Sequence, residues 1–410
     1  SNGYPKCCSF FQQRLVFANT KSVQNGIWFS RTGAPNNFLE STEDSDSFSI
    51  APASDKSDEV LHLVQANGGV VALTAGAEFF IQADGVFSPT TVSVKDNSFI
   101  GSYGGYRPTR VGNEVLYCQR GAMRIRAMSF RYEVDGLVSP DITTSSTHIA
   151  PDNGGFIEAA YQQEPYSVVW VIMGNGTLAS ITLNRDQEVT AWARHKIDGV
   201  VKSVVSIPSS IGSDRLFFIA EKSDGTRTLE EALEDSYIDC SKGYLVNSDK
   251  IAFDHAPWLI GTDMIKAYAV KNGSPYEVRI KSVVGNIVTL IGDKYDGVEV
   301  FIGSKIYAKV VLLPPEISQY PQTMRKTKVS IHSVTATVYK TLGIVINGVE
   351  QSVRDFIPDP LSIIKLDTDD VEVAEHGWSD MVKYNLTIEH DYATPFHMQA
   401  VVANLSVNDS

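Results

Sequence analysis

The stretch Val70-Val71-Ala72-Leu73-Thr74, followed after a three-residue gap by Glu78-Phe79-Phe80-Ile81, decides the fold. Both runs are short, apolar and rich in β-branched or aromatic residues. Turn residues bound them, so they read as buried strands and not as helix turns. The same pattern returns along the chain. Leu15-Val16-Phe17-Ala18 leads to Ile27-Trp28-Phe29-Ser30, and Val115-Leu116-Tyr117-Cys118 leads to Met123-Arg124-Ile125-Arg126. Val168-Val169-Trp170-Val171-Ile172-Met173 leads to Leu178-Ala179-Ser180-Ile181, and Leu216-Phe217-Phe218-Ile219-Ala220 to Thr226-Arg227-Thr228-Leu229. With anchors at Leu15, Val71, Val115, Val168 and Leu216, the intervals are 56, 44, 53 and 48 residues.

A strand-built period of roughly 40–50 residues is the mark of propeller blades. The expected fold is therefore all-β: a β-propeller with about five visible blade-like units and small appended β-barrel or sandwich domains. An array of β-sandwiches is the alternative. Asn-Gly and Asp-Gly pairs occur twelve times, among them Asp84-Gly85, Asn175-Gly176 and Asp224-Gly225. Such pairs supply the positive φ angles of tight hairpins, which argues for antiparallel sheets. Thr228-Leu229-Glu230-Glu231-Ala232-Leu233 is the best helix candidate, and it reads equally as the closing strand of a hairpin.

The chain has 410 residues, is 43% hydrophobic and 20% charged, and carries a formal charge of −13. That hydrophobic content is too high for a disordered chain. No run of about 18 apolar residues is present to span a membrane as a helix. The acidic balance speaks against broad electrostatic adhesion to nucleic acid. Cys7, Cys8, Cys118 and Cys240 are irregularly spaced with no CxxC pair, so they read as reduced thiols of a protein made in a cytoplasm. Ser1-Asn2-Gly3 reads as a residual tag scar, with the natural protein expected to extend further N-terminally.

The expected domain order is a propeller over 1–255, a small β-barrel or sandwich over 256–315, and a Pro-rich linker over 316–327. A C-terminal β-rich domain over 328–410, packed on or completing the propeller, follows. Its strand signals include the alternating Val329, Ile331, Val334 and Val338, and Val382-Lys383-Tyr384-Asn385-Leu386-Thr387-Ile388.

Three blocks resemble a known family. Tyr4-Pro5, Phe11-Gln12-Gln13-Arg14-Leu15-Val16-Phe17, Ile27-Trp28-Phe29-Ser30-Arg31-Thr32-Gly33 and Asn37-Phe38 form the first. Leu183-Asn184-Arg185-Asp186-Gln187-Glu188-Val189 with Ala191-Trp192-Ala193-Arg194-His195 and Ile197-Asp198-Gly199 forms the second, and Ala256-Pro257-Trp258-Leu259-Ile260-Gly261 the third. Together they resemble the tail tubular protein B, or tail nozzle and hub, family of short-tailed bacteriophages. The resemblance implies a virion structural protein, a subunit of the tube below the portal-adaptor ring that conducts DNA during ejection. It implies a ring, usually hexameric, or a monomer for this fragment alone, and contact with the portal adaptor, the tail fibre or spike, and passing DNA. The alternative function is a carbohydrate-binding or depolymerising tail module acting on the host surface.

No catalytic, cofactor-binding or metal-ligating residue is assigned, and no enzyme activity is expected. His195 with Asp198 is a candidate metal or acid–base pair, but three residues apart across a turn the two point awkwardly for joint ligation. Glu389-His390-Asp391 with His397 offers ligand types without zinc spacing. Asp367-Thr368-Asp369-Asp370 lacks the Gly and distal Glu of a calcium loop and reads as a solvated turn. Gly101-Ser102-Tyr103-Gly104-Gly105 leads into no helix and reads as a flexible loop. Arg120, Arg124, Arg126 and Arg131 form a basic cluster in one strand pair, with Arg124 and Arg126 on one face. It reads as a charged outer blade face, or as contact with an acidic partner or DNA. Trp28, Trp170, Trp192, Trp258 and Trp378 are expected to fill sheet cores.

Overall fold

The computed structural model describes residues 3–52, 59–134, 136–271, 273–291, 295, 297–314, 328–351, 367–374, 378–380 and 385–408. The described chain is nearly all β and divides into two compact units, 1–195 with 199–233, and 196–198 with 234–410. No helix among the described residues is long and apolar enough to cross a membrane.

The first unit is a β-propeller array of five blades, each an antiparallel meander laid down in chain order. Blade 1 is β1–β4 (Cys7–Phe11, Arg14–Ala18, Ile27–Phe29, Phe48–Ile50). Blade 2 is β5–β8 (Val60–Ala66, Gly69–Thr74, Glu78–Ala83, Val92–Ser98). Blade 3 is β9–β12 (Thr109–Val111, Glu114–Cys118, Ile125–Arg131, Gly136–Val138), and blade 4 is β13–β16 (Phe156–Gln162, Val168–Met173, Leu178–Asn184, Val189–His195). Blade 5 has three strands, β17–β19 (Val200–Ile207, Arg215–Glu221, Arg227–Ala232). All five sequence anchors fall in the second strand of their blade. Of the helix candidate 228–233, residues 228–232 lie in β19, paired to β18.

The period-two pattern explains how the blades stack. Every residue of β6 is buried, because both faces of blade 2 are covered. Val70, Ala72, Phe79 and Ile81 pack with Val16, Ile27 and Phe29 of blade 1. Val71, Leu73 and Phe80 point the other way, onto Val115, Tyr117 and Met128 of blade 3. Leu116, Ile125 and Ala127 then meet Phe156, Val169 and Val171 of blade 4. Each such side chain contributes about 2 kcal/mol by leaving water, so a one-residue register slip would forfeit a whole seam.

A four-strand meander returns to the end at which it began, so the unit has two distinct faces. The front carries the turns between first and second strands and between third and fourth. The back carries the central turns and the connections from blade to blade. Backbone hydrogen bonds stitch the back: Ser102 N to Thr74 O (2.8 Å), Phe156 N to Ala122 O (2.8 Å) and Val201 N to Gly176 O (2.9 Å).

The front is tied by side chains. Arg14 is almost fully buried, and its guanidinium donates to the carbonyls of Ser30 (2.8 Å), Asp46 (2.6 Å), Asp44 (2.7 Å) and Phe87 (3.4 Å). The fifth blade is held by Asp214, whose carboxylate accepts from the amides of Gln163 (2.9 Å) and Glu164 (3.2 Å) in blade 4.

The second unit starts earlier than the expected boundary at 255/256. Ile238–Val246 (β20) pairs with Val298–Lys305 (β26), and Lys250–Ala252 (β21) with Ile287–Leu290 (β25), so these strands belong to the small β domain. Ile265–Lys271 (β22), Ser274–Val278 (β23) and Ile280–Val284 (β24) complete its two sheets around Phe253, Leu259, Ala267, Val288 and Val300. Ala308–Val311 (β27), expected in that domain, instead pairs with Thr387–His390 (β33) in the C-terminal part. There Lys328–Thr341 (β28) is the spine, flanked by Asp367–Ala374 (β31), Trp378–Asp380 (β32) and Met398–Asn408 (β34). Asp367-Thr368-Asp369-Asp370 is therefore the start of a strand and not a turn. The expected linker 316–327, and residues 382–384 of the expected 382–388 strand, lie outside the described residues.

Candidate functional site: the buried polar seam between the second and third blades

The back end of the seam between blades 2 and 3 holds the most unusual side chain of the propeller unit. Glu78 opens β7, ahead of Phe79-Phe80-Ile81, and has no solvent exposure. One carboxylate oxygen, Oε2, accepts from the Ser98 hydroxyl and from the amide of Ile100 (3.4 Å). The other, Oε1, is buried without a hydrogen-bond partner. Burial raises the Glu78 carboxyl above the usual carboxylate range, against the pull of Ser98, the 100–101 amides and the Arg126 charge.

Blade 3 supplies the opposite wall. Tyr117 on β10 is fully buried, and its hydroxyl lies beside Glu78 and Ser139. Burial, then the Glu78 charge, drives its phenol pKa upward. Arg126 stands opposite Tyr117 in register, donating Nε to Gln119 Oε1 (2.9 Å) and Nη1 to the Ser139 carbonyl (2.7 Å). Asn97 Oδ1 accepts from Leu137 N (3.1 Å) across the same seam.

Gly101 makes this approach feasible. Its φ is +79°, and a Cβ there would sit 2.3 Å from the carbonyl oxygen of Ala75. Its own carbonyl accepts from Arg120 N (3.0 Å), and Tyr103 N donates to Cys118 O (2.8 Å). Residues 101–105, expected to be a flexible loop, are bonded to both blades instead. Gly101 serves close backbone approach and not mobility. Chemically the seam is a carboxyl and a phenol sealed from solvent, which suits it to locking two blades. It offers a substrate no access.

The other candidates separate. The imidazole of His195 hydrogen-bonds Ser180 Oγ through Nε2 (2.7 Å) and lies 4.8 Å from the Trp170 ring, whose Nε1 donates to Gln162 Oε1 (2.9 Å). Burial pulls the His195 pKa from 6.5 to about 4, so the ring is neutral. In the second unit, Asp198 accepts from Trp258 Nε1 (2.5 Å) and the Cys240 thiol (3.6 Å). Glu389 pairs with Lys309 (2.8 Å), while its strand neighbour His390 turns inward and stacks on Phe396 (5.0 Å between ring centres, 14°). His397 is exposed.

Of the arginine cluster, Arg124 pairs with Asp141 (2.8 Å) and Arg126 is bonded inside the seam, while Arg120 and Arg131 are exposed. The tryptophans do not all fill cores. Trp192 packs beside Phe156 and donates to Ile142 O (3.0 Å), but Trp378 is exposed.

Sequence reasoning passed over Glu78, Arg14 and Ser180. The available signal was a lone polar or charged residue set in or beside an apolar strand pattern.

No family model and no curated protein matches the chain. Among solved structures, a Lactobacillus plantarum protein aligns at 10% identity and TM-score 0.34, covering 73% of this chain and 87% of that one. The N-terminal domain of Nup159 aligns at 9% identity and TM-score 0.30, covering 74% and 89%. A luciferin-regenerating enzyme aligns at 12% and 0.23, covering 56% and 92%.

Proposed function

We propose that this protein is a non-catalytic structural subunit of a short-tailed bacteriophage tail, part of the nozzle or tube that conducts DNA below the portal-adaptor ring. One observation carries the reading: several of the residues that bear the resemblance to tail tubular protein B are architectural. Arg14 gathers four carbonyls of blades 1 and 2, Arg185 on blade 4 pairs with Glu114 of blade 3 (2.6 Å), and Trp258 is hydrogen-bonded to Asp198. Motif residues spent on holding sheets together suit a protein whose work is its shape.

The charge of −13 supports the same reading. A wall that passes DNA quickly must not hold phosphates, and negative charge reduces sticking. In this reading the subunits form a ring in the virion tail after synthesis in the host cytoplasm. Electron microscopy of full-length protein added to its adaptor ring tests it. An added ring of density below the adaptor is the expected result, and its absence would sink the reading.

A further inference from the structure

The two faces of the propeller unit differ in a way that its stability does not require. Large apolar side chains stand at the tips of front-face turns in four consecutive blades and in the fifth. Leu39 (80% exposed) lies between β3 and β4, Val86 (64%) between β7 and β8, and Tyr132 (89%) and Val134 (61%) between β11 and β12. Tyr166 (70%) lies between β13 and β14, and Ile211 (89%) between β17 and β18. The back face exposes Tyr4 and, to a lesser degree, Phe99, Met123, Ile157 and Val200.

Scattered exposed apolar residues are ordinary, but a set gathered on one face marks an interaction surface. The charges of the same turns say what it meets. Residues 30–47 expose three acidic side chains, 185–188 two, and 84–91, 132–134 and 163–167 one each, while Asp46 and Asp214 are buried in internal contacts. Against them stand only Arg31 and Arg185 in those turns, and both are already engaged, with Asp46 (3.7 Å) and Glu114 (2.6 Å).

We infer that the front face of the propeller unit is a docking surface for a partner protein that presents apolar side chains among lysines and arginines. Apolar tips supply the buried contact, and the surrounding carboxylates select a cationic partner and repel nucleic acid and anionic lipid. A second copy presenting the same face would bring carboxylates against carboxylates, which disfavours a face-to-face dimer. This inference stands on the front-face turns and does not depend on the tail reading.

The test uses the full chain and three probes: an amphipathic Lys/Leu peptide, its Glu/Leu counterpart, and phosphatidylcholine vesicles. The Lys/Leu peptide is expected to bind saturably and more weakly as salt rises. Combining Tyr132→Ser, Tyr166→Ser and Ile211→Ser should weaken that binding roughly tenfold or more. Phe99→Ser with Met123→Ser on the back face should change it by less than about twofold. All of these positions are at the surface, and far-UV circular dichroism with unfolding midpoints verifies that each variant is folded. No peptide binding, equal losses from the two variants, equal binding of the Glu/Leu peptide, or preferential capture by vesicles would each overturn the proposal.

Discussion

Acid should unlock blade 4, and His195 gives the size of the effect. Burial holds its imidazole at about 4 in the folded protein against a usual 6.5. As pH falls, the unfolded chain therefore takes up this proton first. The stability gained by keeping His195 neutral is whole above about pH 7 and is lost as pH falls from the unfolded value through the folded one. A shift of that size removes about 2 kcal/mol by pH 5 and about 3 kcal/mol by pH 4. His62 in the same unit is also lowered by burial and adds to the wild-type slope, so the variant comparison isolates His195. His195→Gln retains a polar group of similar reach toward Ser180 but cannot take up the proton. Urea unfolding of both proteins, at intervals from pH 7.5 to pH 4, reads the difference. The variant should start less stable or equal and close the gap on acidification by the amounts above. Parallel stability curves across the whole range would refute the reasoning.

Other substitutions probe the seams. Arg14→Met leaves four front-face carbonyls without their donor and should cost about 3 kcal/mol or more, seen as a lower unfolding midpoint; Arg14→Lys should rescue little, because an ammonium lacks the planar fork. Gly101→Ala drives a Cβ into the Ala75 carbonyl at positive φ and should cost roughly 2–4 kcal/mol. Gly225→Ala, also at positive φ but in open space, should cost only about 1 kcal/mol in the same melt. Because the Glu78 carboxyl is raised in the folded protein, the unfolded chain ionises first as pH rises. Glu78→Gln should therefore gain stability relative to wild type between acidic and neutral pH, measured by the same urea titration.

The blades were legible because their signal is local. Leu15, Val71, Val115, Val168 and Leu216 head the same kind of two-strand unit, and period-two burial needs only neighbours in sequence. The first strands of the blades, and the fourth strands of the four-stranded ones, were harder. β8, Val-Ser-Val-Lys-Asp-Asn-Ser, lies at a blade edge and is mostly polar, so no hydrophobic run announces it. The domain boundary was missed for a different reason. β20 and β27 earn their places by pairing with strands about 60 and 80 residues away, and no local pattern carries that information. The polar seam was hidden likewise. Glu78, Tyr117 and Arg126 are ordinary strand residues until blade stacking brings them together, and Gly101 was mistaken for a sign of mobility when it marks close packing.

The central claim is that this chain forms part of the wall of a tail conduit. The most direct measurement is an image of the assembled tail with this protein labelled. The account predicts the label in a ring coaxial with the DNA channel, below the adaptor. A label confined to peripheral fibres or spikes, or missing from the particle, would contradict it.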